Sequence, residues 1–127
     1  MPIRDVMEMV REAKREIESI SPQEALRAQE EGALLVDIRD PRELAREGRI
    51  PGAYHAPRGM LEFWVSPGSP YRKPALSEAS RLVLFCAASS RSALAAKTLQ
   101  DMGVETVAEI EGGFGAWREA GLPVEAS

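Results

Sequence analysis

Arg81-Leu82-Val83-Leu84-Phe85-Cys86-Ala87-Ala88-Ser89-Ser90-Arg91-Ser92-Ala93-Leu94-Ala95-Ala96 is the stretch on which the fold turns. Residues 81–85 carry an apolar run bounded by a small-residue connection, the pattern of a short strand buried on both faces. Cys86 ends the strand, residues 87–91 form a tight link, and Ser92-Ala93-Leu94-Ala95-Ala96-Lys97-Thr98-Leu99 starts a helix. A thiol at a strand's carboxyl end faces the amino terminus of the following helix, where backbone N–H groups and the helix dipole stabilise an anion. That placement favours thiolate, the nucleophilic form of cysteine. A lone cysteine is in general more often an inert core residue. The strand-to-helix position, the small residues after it and Arg91 together point to chemistry.

Working outward, strands alternate with helices. Val6, Val10, Ala13, Ile17 and Ile20 recur at helical spacing, which predicts an amphipathic helix over about residues 3–19. Ser21-Pro22-Gln23-Glu24 is a helix start, with Ser21 as N-cap, Pro22 in the first turn and Glu24 as capping-box partner. Ala33–Ile38 reads as a central parallel strand, Asp40-Pro41 opens a short helix, and Tyr54–Ala56 is a brief extended piece. Residues 66–74 are a proline-rich surface loop, Thr106–Ile110 another strand, Gly112-Gly113 a turn, and Phe114–Glu119 a last helix. The order implies an α/β fold, a central mostly parallel sheet with helices on both faces. In such sheets ligands bind outside the carboxyl ends of the strands, where Cys86 lies.

Composition narrows the function. The 127 residues suit one domain, with 44% hydrophobic and 28% charged residues as in globular proteins. A formal net charge of −4 gives no overall field for nucleic acid, so no nucleic-acid partner is expected. No apolar run is long enough to span a bilayer, and the start is charged and amphipathic rather than a signal peptide, so no membrane association is expected. One cysteine makes no intrachain disulfide and no thiolate-rich zinc site, and a reducing cytoplasm is the expected compartment. It also leaves no resolving thiol, so any covalent intermediate on Cys86 must be discharged onto an outside acceptor or water.

Three segments then fall in a known order. They are Val36-Asp37-Ile38-Arg39-Asp40-Pro41-Arg42-Glu43-Leu44 with Gly48-Arg49-Ile50-Pro51-Gly52-Ala53, Cys86 through Ala93, and Glu111-Gly112-Gly113-Phe114-Gly115-Ala116-Trp117 with Gly121-Leu122-Pro123-Val124. Together they resemble the rhodanese-like family of single-domain sulfurtransferases over about residues 21–124. The division expected is an N-terminal amphipathic helix extension over 1–20 and a rhodanese-like domain over 21–127. The resemblance implies that Cys86 takes a sulfane sulfur from a donor such as thiosulfate and passes it, as a persulfide, to cyanide, a small thiol or a protein thiol. It implies an anion cradle from the backbone N–H groups of Ala87, Ala88, Ser89, Ser90, Arg91 and Ser92, with no cofactor and no metal. Many relatives carry glycine at the position of Ser89, so a left-handed serine there would cost on the order of 1 kcal/mol.

Other residues admit plainer roles. Arg91 suits either substrate oxygens or a carboxylate that fixes the loop. Asp37 and Arg39 read as structural support near the site. His55 reads as a packed or solvated ring, because transfer from a formed thiolate needs no base. Trp64, Phe114 and Trp117 read as packing residues, and Arg58 belongs to the long connection at the pocket rim.

Two rival readings remain. Phosphatases and arsenate reductases of related fold separate cysteine and arginine by five residues, whereas four separate Cys86 from Arg91 and Ser92 takes the sixth position. That shorter cradle suits a single sulfur atom better than a tetrahedral oxyanion. The second rival is a non-enzymatic binding or regulatory module on the same fold. Such modules usually lack the cysteine that this chain keeps. The N-terminal helix is expected to pack away from Cys86 or to pair with a second chain, so monomer and homodimer both stay open.

Overall fold

A computed structural model describes residues 2–127. Five parallel strands form one sheet: β1 (Glu18–Ile20), β2 (Leu34–Asp37), β3 (Tyr54–His55), β4 (Leu82–Phe85) and β5 (Val107–Ile110), in the spatial order β1-β5-β4-β2-β3. The helices are α1 (Val6–Glu16), α2 (Pro22–Glu30), α3 (Pro41–Glu47), α4 (Leu61–Val65), α5 (Pro74–Ser77), α6 (Ser90–Asp101) and α7 (Gly113–Glu119), with a 3₁₀ turn at Arg58–Met60. The α/β sheet covered on both faces is the architecture that the alternation of elements predicts.

The alternation of side chains along β4 explains both layers. Leu82, Leu84 and Cys86 face a core that includes Leu61 and Val65 of α4, Leu76 of α5 and Ala95, Ala96 and Leu99 of α6. Val83 and Phe85 face the opposite core with Ala25 of α2 and Phe114 and Trp117 of α7. All four β4 residues are buried, as an interior parallel strand requires. Helix starts follow their caps: Ser21 with Glu24 and Asp40 with Glu43 each form a complete capping box, with proline in the first turn.

The amino-terminal segment departs from the sequence expectation. Helix α1 stops at Glu16, Ile17 is extended, and Glu18–Ile20 pairs in parallel with β5 as the edge strand. Val10 and Ala13 are the buried residues of α1, while Val6 is 54% exposed and Ile20 belongs to the sheet core. A three-residue strand is too short to break a helical periodicity, so Ile17 and Ile20 continue the spacing while leaving the helix. The helix also lies elsewhere than expected. Val10 and Ala13 pack on Ala93 of α6, the helix that begins beside Cys86. Helix α4 went unread in the sequence because its five residues give less than two turns of pattern.

Candidate active site

Cys86 follows β4 and its side chain is 1% exposed. Its Sγ accepts the backbone N–H of Ser89 at 3.1 Å and that of Ser92 at 3.4 Å, and lies 3.6 Å from Ser92 Oγ. Among the described residues Ser89 and Ser92 are the two of the six expected N–H donors that bond the sulfur, and Ala87, Ala88, Ser90 and Arg91 make no such bond to it. A 12-residue helix begins here, and its Ser92 N–H reaches the sulfur, so the positive end of the helix dipole lies beside the same atom. The arrangement stabilises negative charge on a sulfur atom.

The loop is held from three sides. Beneath it, the amino end of α7 donates from Phe114 N–H to the Cys86 carbonyl at 2.8 Å and from Gly115 N–H to the Ala87 carbonyl at 3.1 Å. Gly113 permits this approach: a Cβ there would stand 2.5 Å from the Cys86 oxygen and 2.9 Å from the Ala87 carbonyl carbon. Those two hydrogen bonds fix the Cys86 and Ala87 carbonyls against α7 at the base of the loop whose Ser89 N–H reaches the sulfur.

On the second side, Arg91 makes a bidentate pair with Glu43 of α3, at 2.8 and 2.9 Å. Glu43 also accepts the Asp40 N–H that closes the α3 cap, so one carboxylate ties α3 to the loop. The Arg91 hydrogen bond is the chief reason its carboxyl sits down at about 2. Glu43 first, and Cys86 after it, hold the Arg91 guanidinium firmly cationic. Of the two roles open to Arg91, the geometry realises the loop-fixing one.

Asp37 and Arg39 form a buried pair at the end of β2. Arg39 donates to both Asp37 oxygens, at 2.8 to 3.2 Å, and to the Gly48 carbonyl at 2.8 Å, and its guanidinium stacks 4.1 Å over the Phe114 ring. This pins the turn after α3 to α7, below the cysteine loop. His55 Nε2 lies 2.7 Å from the Arg39 carbonyl, so of the packed and solvated alternatives the structure shows a partly buried, hydrogen-bonded ring.

The third side was not read from sequence. Ser89 has φ 96°, the one positive φ outside glycine among the described residues. Its hydroxyl donates to Glu109 Oε1 at 2.5 Å and accepts from Lys14 Nζ at 2.7 Å. Glu109 is fully buried and also receives the hydroxyls of Ser92 at 2.9 Å and Ser19 at 2.5 Å. A single charged residue inside the strand Val107-Ala108-Glu109-Ile110, bound for burial on both faces, is the signal that marks Glu109. Lys14 has no comparable signal, since a lysine flanking the apolar stripe of an amphipathic helix is ordinary.

The rhodanese-like domain family model matches residues 21–120. The chain belongs to the rhodanese-like domain family. A thiosulfate sulfurtransferase GlpE of Pseudomonas entomophila is 37% identical over 103 residues, covering 81% of this chain and 86% of that one. An uncharacterized protein of Synechocystis is 38% identical over 95 residues, 75% of this chain, and the match spans 48% of that longer protein. A solved structure from Rhodopseudomonas palustris, described as a protein of unknown function and possible tyrosine phosphatase, is 51% identical with a TM-score of 0.90 over 98% of this chain and 99% of that one. Within this rhodanese-like domain, the structure gathers Cys86, the 87–92 loop, Asp37 and Arg39 at the carboxyl ends of β2 and β4. It adds Glu43, Glu109, Gly113 and Lys14 to that group. No helix among the described residues is long and apolar enough to cross a membrane.

Proposed function

We propose that the protein is a thiosulfate sulfurtransferase-like enzyme working through a persulfide on Cys86. The observation that carries this reading is the convergence of the Ser89 and Ser92 N–H groups on Sγ at the start of α6. The Cys86 thiolate attacks the outer sulfur of thiosulfate. A new S–S bond forms, the bond between the two thiosulfate sulfurs breaks, and sulfite leaves with the electron pair. The persulfide's terminal sulfur occupies the N–H cradle as an anion until cyanide, a small thiol or a protein thiol attacks it and returns Cys86 as thiolate. With Cys86 the one cysteine of the chain, the acceptor comes from outside, and each chain carries one transferable sulfur. A reducing cytoplasmic setting suits an unpaired thiol of this kind.

The phosphatase reading asks the arginine to clasp substrate oxygens. Arg91 instead directs both Nη atoms to Glu43, and only four residues separate it from Cys86. A binding module would retain the fold without need of the sulfur cradle.

The test is intact-mass spectrometry after incubation with thiosulfate. The expected result is one added sulfur per chain, removed by cyanide with one thiocyanate released. Cys86→Ser should show neither adduct nor thiocyanate, and aryl phosphate hydrolysis should be negligible in the same preparation. Sulfur transfer undiminished in Cys86→Ser, or phosphatase turnover rivalling it, overturns the reading.

A further inference from the structure

Ser89 stands in a conformation that L side chains rarely adopt, at φ 96°, and it does so at the position whose N–H is 3.1 Å from the Cys86 sulfur. It does not serve α6 as an ordinary side-chain cap, since it makes no such hydrogen bond. Its hydroxyl is engaged on both sides instead. Lys14 Nζ donates to it, and it donates to Glu109. The oxygen is therefore fixed along a line from α1 to β5, and the backbone that carries it cannot relax without breaking both bonds.

The two gripping groups also need each other. Glu109 is fully buried, and a buried carboxylate is costly without a cation or a full set of donors. Lys14 Nζ stands 3.7 Å from Glu109 and 3.3 Å from the exposed Glu111, with its side chain 28% exposed. Burial of Val10 and Ala13 against Ala93 sets the register of α1 on α6 that brings Lys14 to this point.

We propose that Lys14 is a positioning residue of the sulfur site, which with Glu109 grips the Ser89 hydroxyl and holds residue 89 left-handed so that its N–H faces Cys86. The proposal rests on the sulfur-transfer reading above and makes α1 part of the site. Glycine adopts the left-handed region without a steric penalty, so a glycine at position 89 needs no grip. The effect of removing Lys14 must then depend on which residue stands at 89. Loss of the counter-charge to Glu109 alone would not depend on it.

The experiment compares full-length wild type, Lys14→Met, Ser89→Gly and the double variant. Two quantities are read: the rate at which Cys86 takes sulfur from thiosulfate, and hydrogen exchange at the backbone amide of residue 89, with the β4 amides as reference. In the wild-type background, Lys14→Met should slow sulfur loading and speed exchange at 89 relative to β4 by about tenfold each, the scale of a left-handed penalty. In the Ser89→Gly background the same substitution should change each by less than about twofold, as for uncoupled sites. Equal losses in both backgrounds, or none in the wild-type background, overturn the proposal. If wild type takes up no sulfur, the sulfur-transfer reading fails, and the exchange comparison still decides whether Lys14 holds residue 89.

Discussion

At the scale of single residues, Glu43 links a helix cap to the cysteine loop, and its charge makes that link dependent on pH. Its folded-state value of about 2 lies below the ordinary 4.5, chiefly through the Arg91 hydrogen bond. A lowered carboxyl contributes stability that is complete above the unfolded value and is lost as pH falls through the folded one. Glu43→Gln should therefore destabilise the protein most at neutral pH, by about 1 kcal/mol for a partly exposed bidentate pair. The gap to wild type should narrow below about pH 4.5 and close near pH 2, read by urea unfolding across that range. A gap that stays constant with pH would mean that the charge of the Glu43 carboxylate is not what stabilises the loop. Cys86 and the loop after it were legible in a short local pattern, and Asp37 and Arg39 as structural residues near the site, but that these two bind each other shows only in the structure. The partner of Arg91 was legible only as a carboxylate from another segment, because residue 43 meets residue 91 through the fold. Glu109 left a mark in its strand, but its three hydroxyl partners come from residues 19, 89 and 92, which only the sheet order brings together.

At the scale of elements, the sequence shows two adjacent glycines, Gly112 and Gly113, and supports a turn, while the structure makes Gly113 the first residue of α7 and gives it a more specific task. It has φ 61° and leaves room for the Cys86 and Ala87 carbonyls where a Cβ would stand. Gly113→Ala should cost roughly 3 kcal/mol or more, combining a left-handed penalty with overpacking against backbone that cannot yield. Sulfur transfer per folded molecule should fall at least about tenfold, because the carbonyls that orient the loop must shift. Gly103→Ala is the control: its φ is 104° but a Cβ would meet nothing within 4 Å. It should cost about 1 kcal/mol and leave transfer intact. Similar transfer losses in the two variants would show that the approach of α7 does not shape the cradle. The longer elements were readable because caps and apolar runs agree. The junction of α1 and β1 was not, since Ile17 and Ile20 satisfy helical spacing while Pro22 biases the residue before it toward the extended state.

At the scale of the whole molecule, the question is whether α1 is an attachment or a working part. The family match begins at residue 21, yet Glu18–Ile20 completes the sheet and Lys14 reaches the serine that faces Cys86. Deleting residues 2–16 keeps β1 and removes α1 with the cover it gives to Ala93. The apolar surface lost is mainly Val10 and Ala13, worth about 2–3 kcal/mol, and buried Glu109 loses its cation as well, so the Tm should fall by at least roughly 10 °C. Sulfur transfer per folded molecule should then drop to about the level of Lys14→Met, since the deletion removes the same grip on Ser89. Circular dichroism fixes the folded fraction, and the initial rate of thiocyanate formation reads the transfer. Undiminished transfer by the shortened chain would return α1 to the status of a stabilising cover. A loss far beyond that of Lys14→Met would mean that the helix supplies the site with more than this lysine.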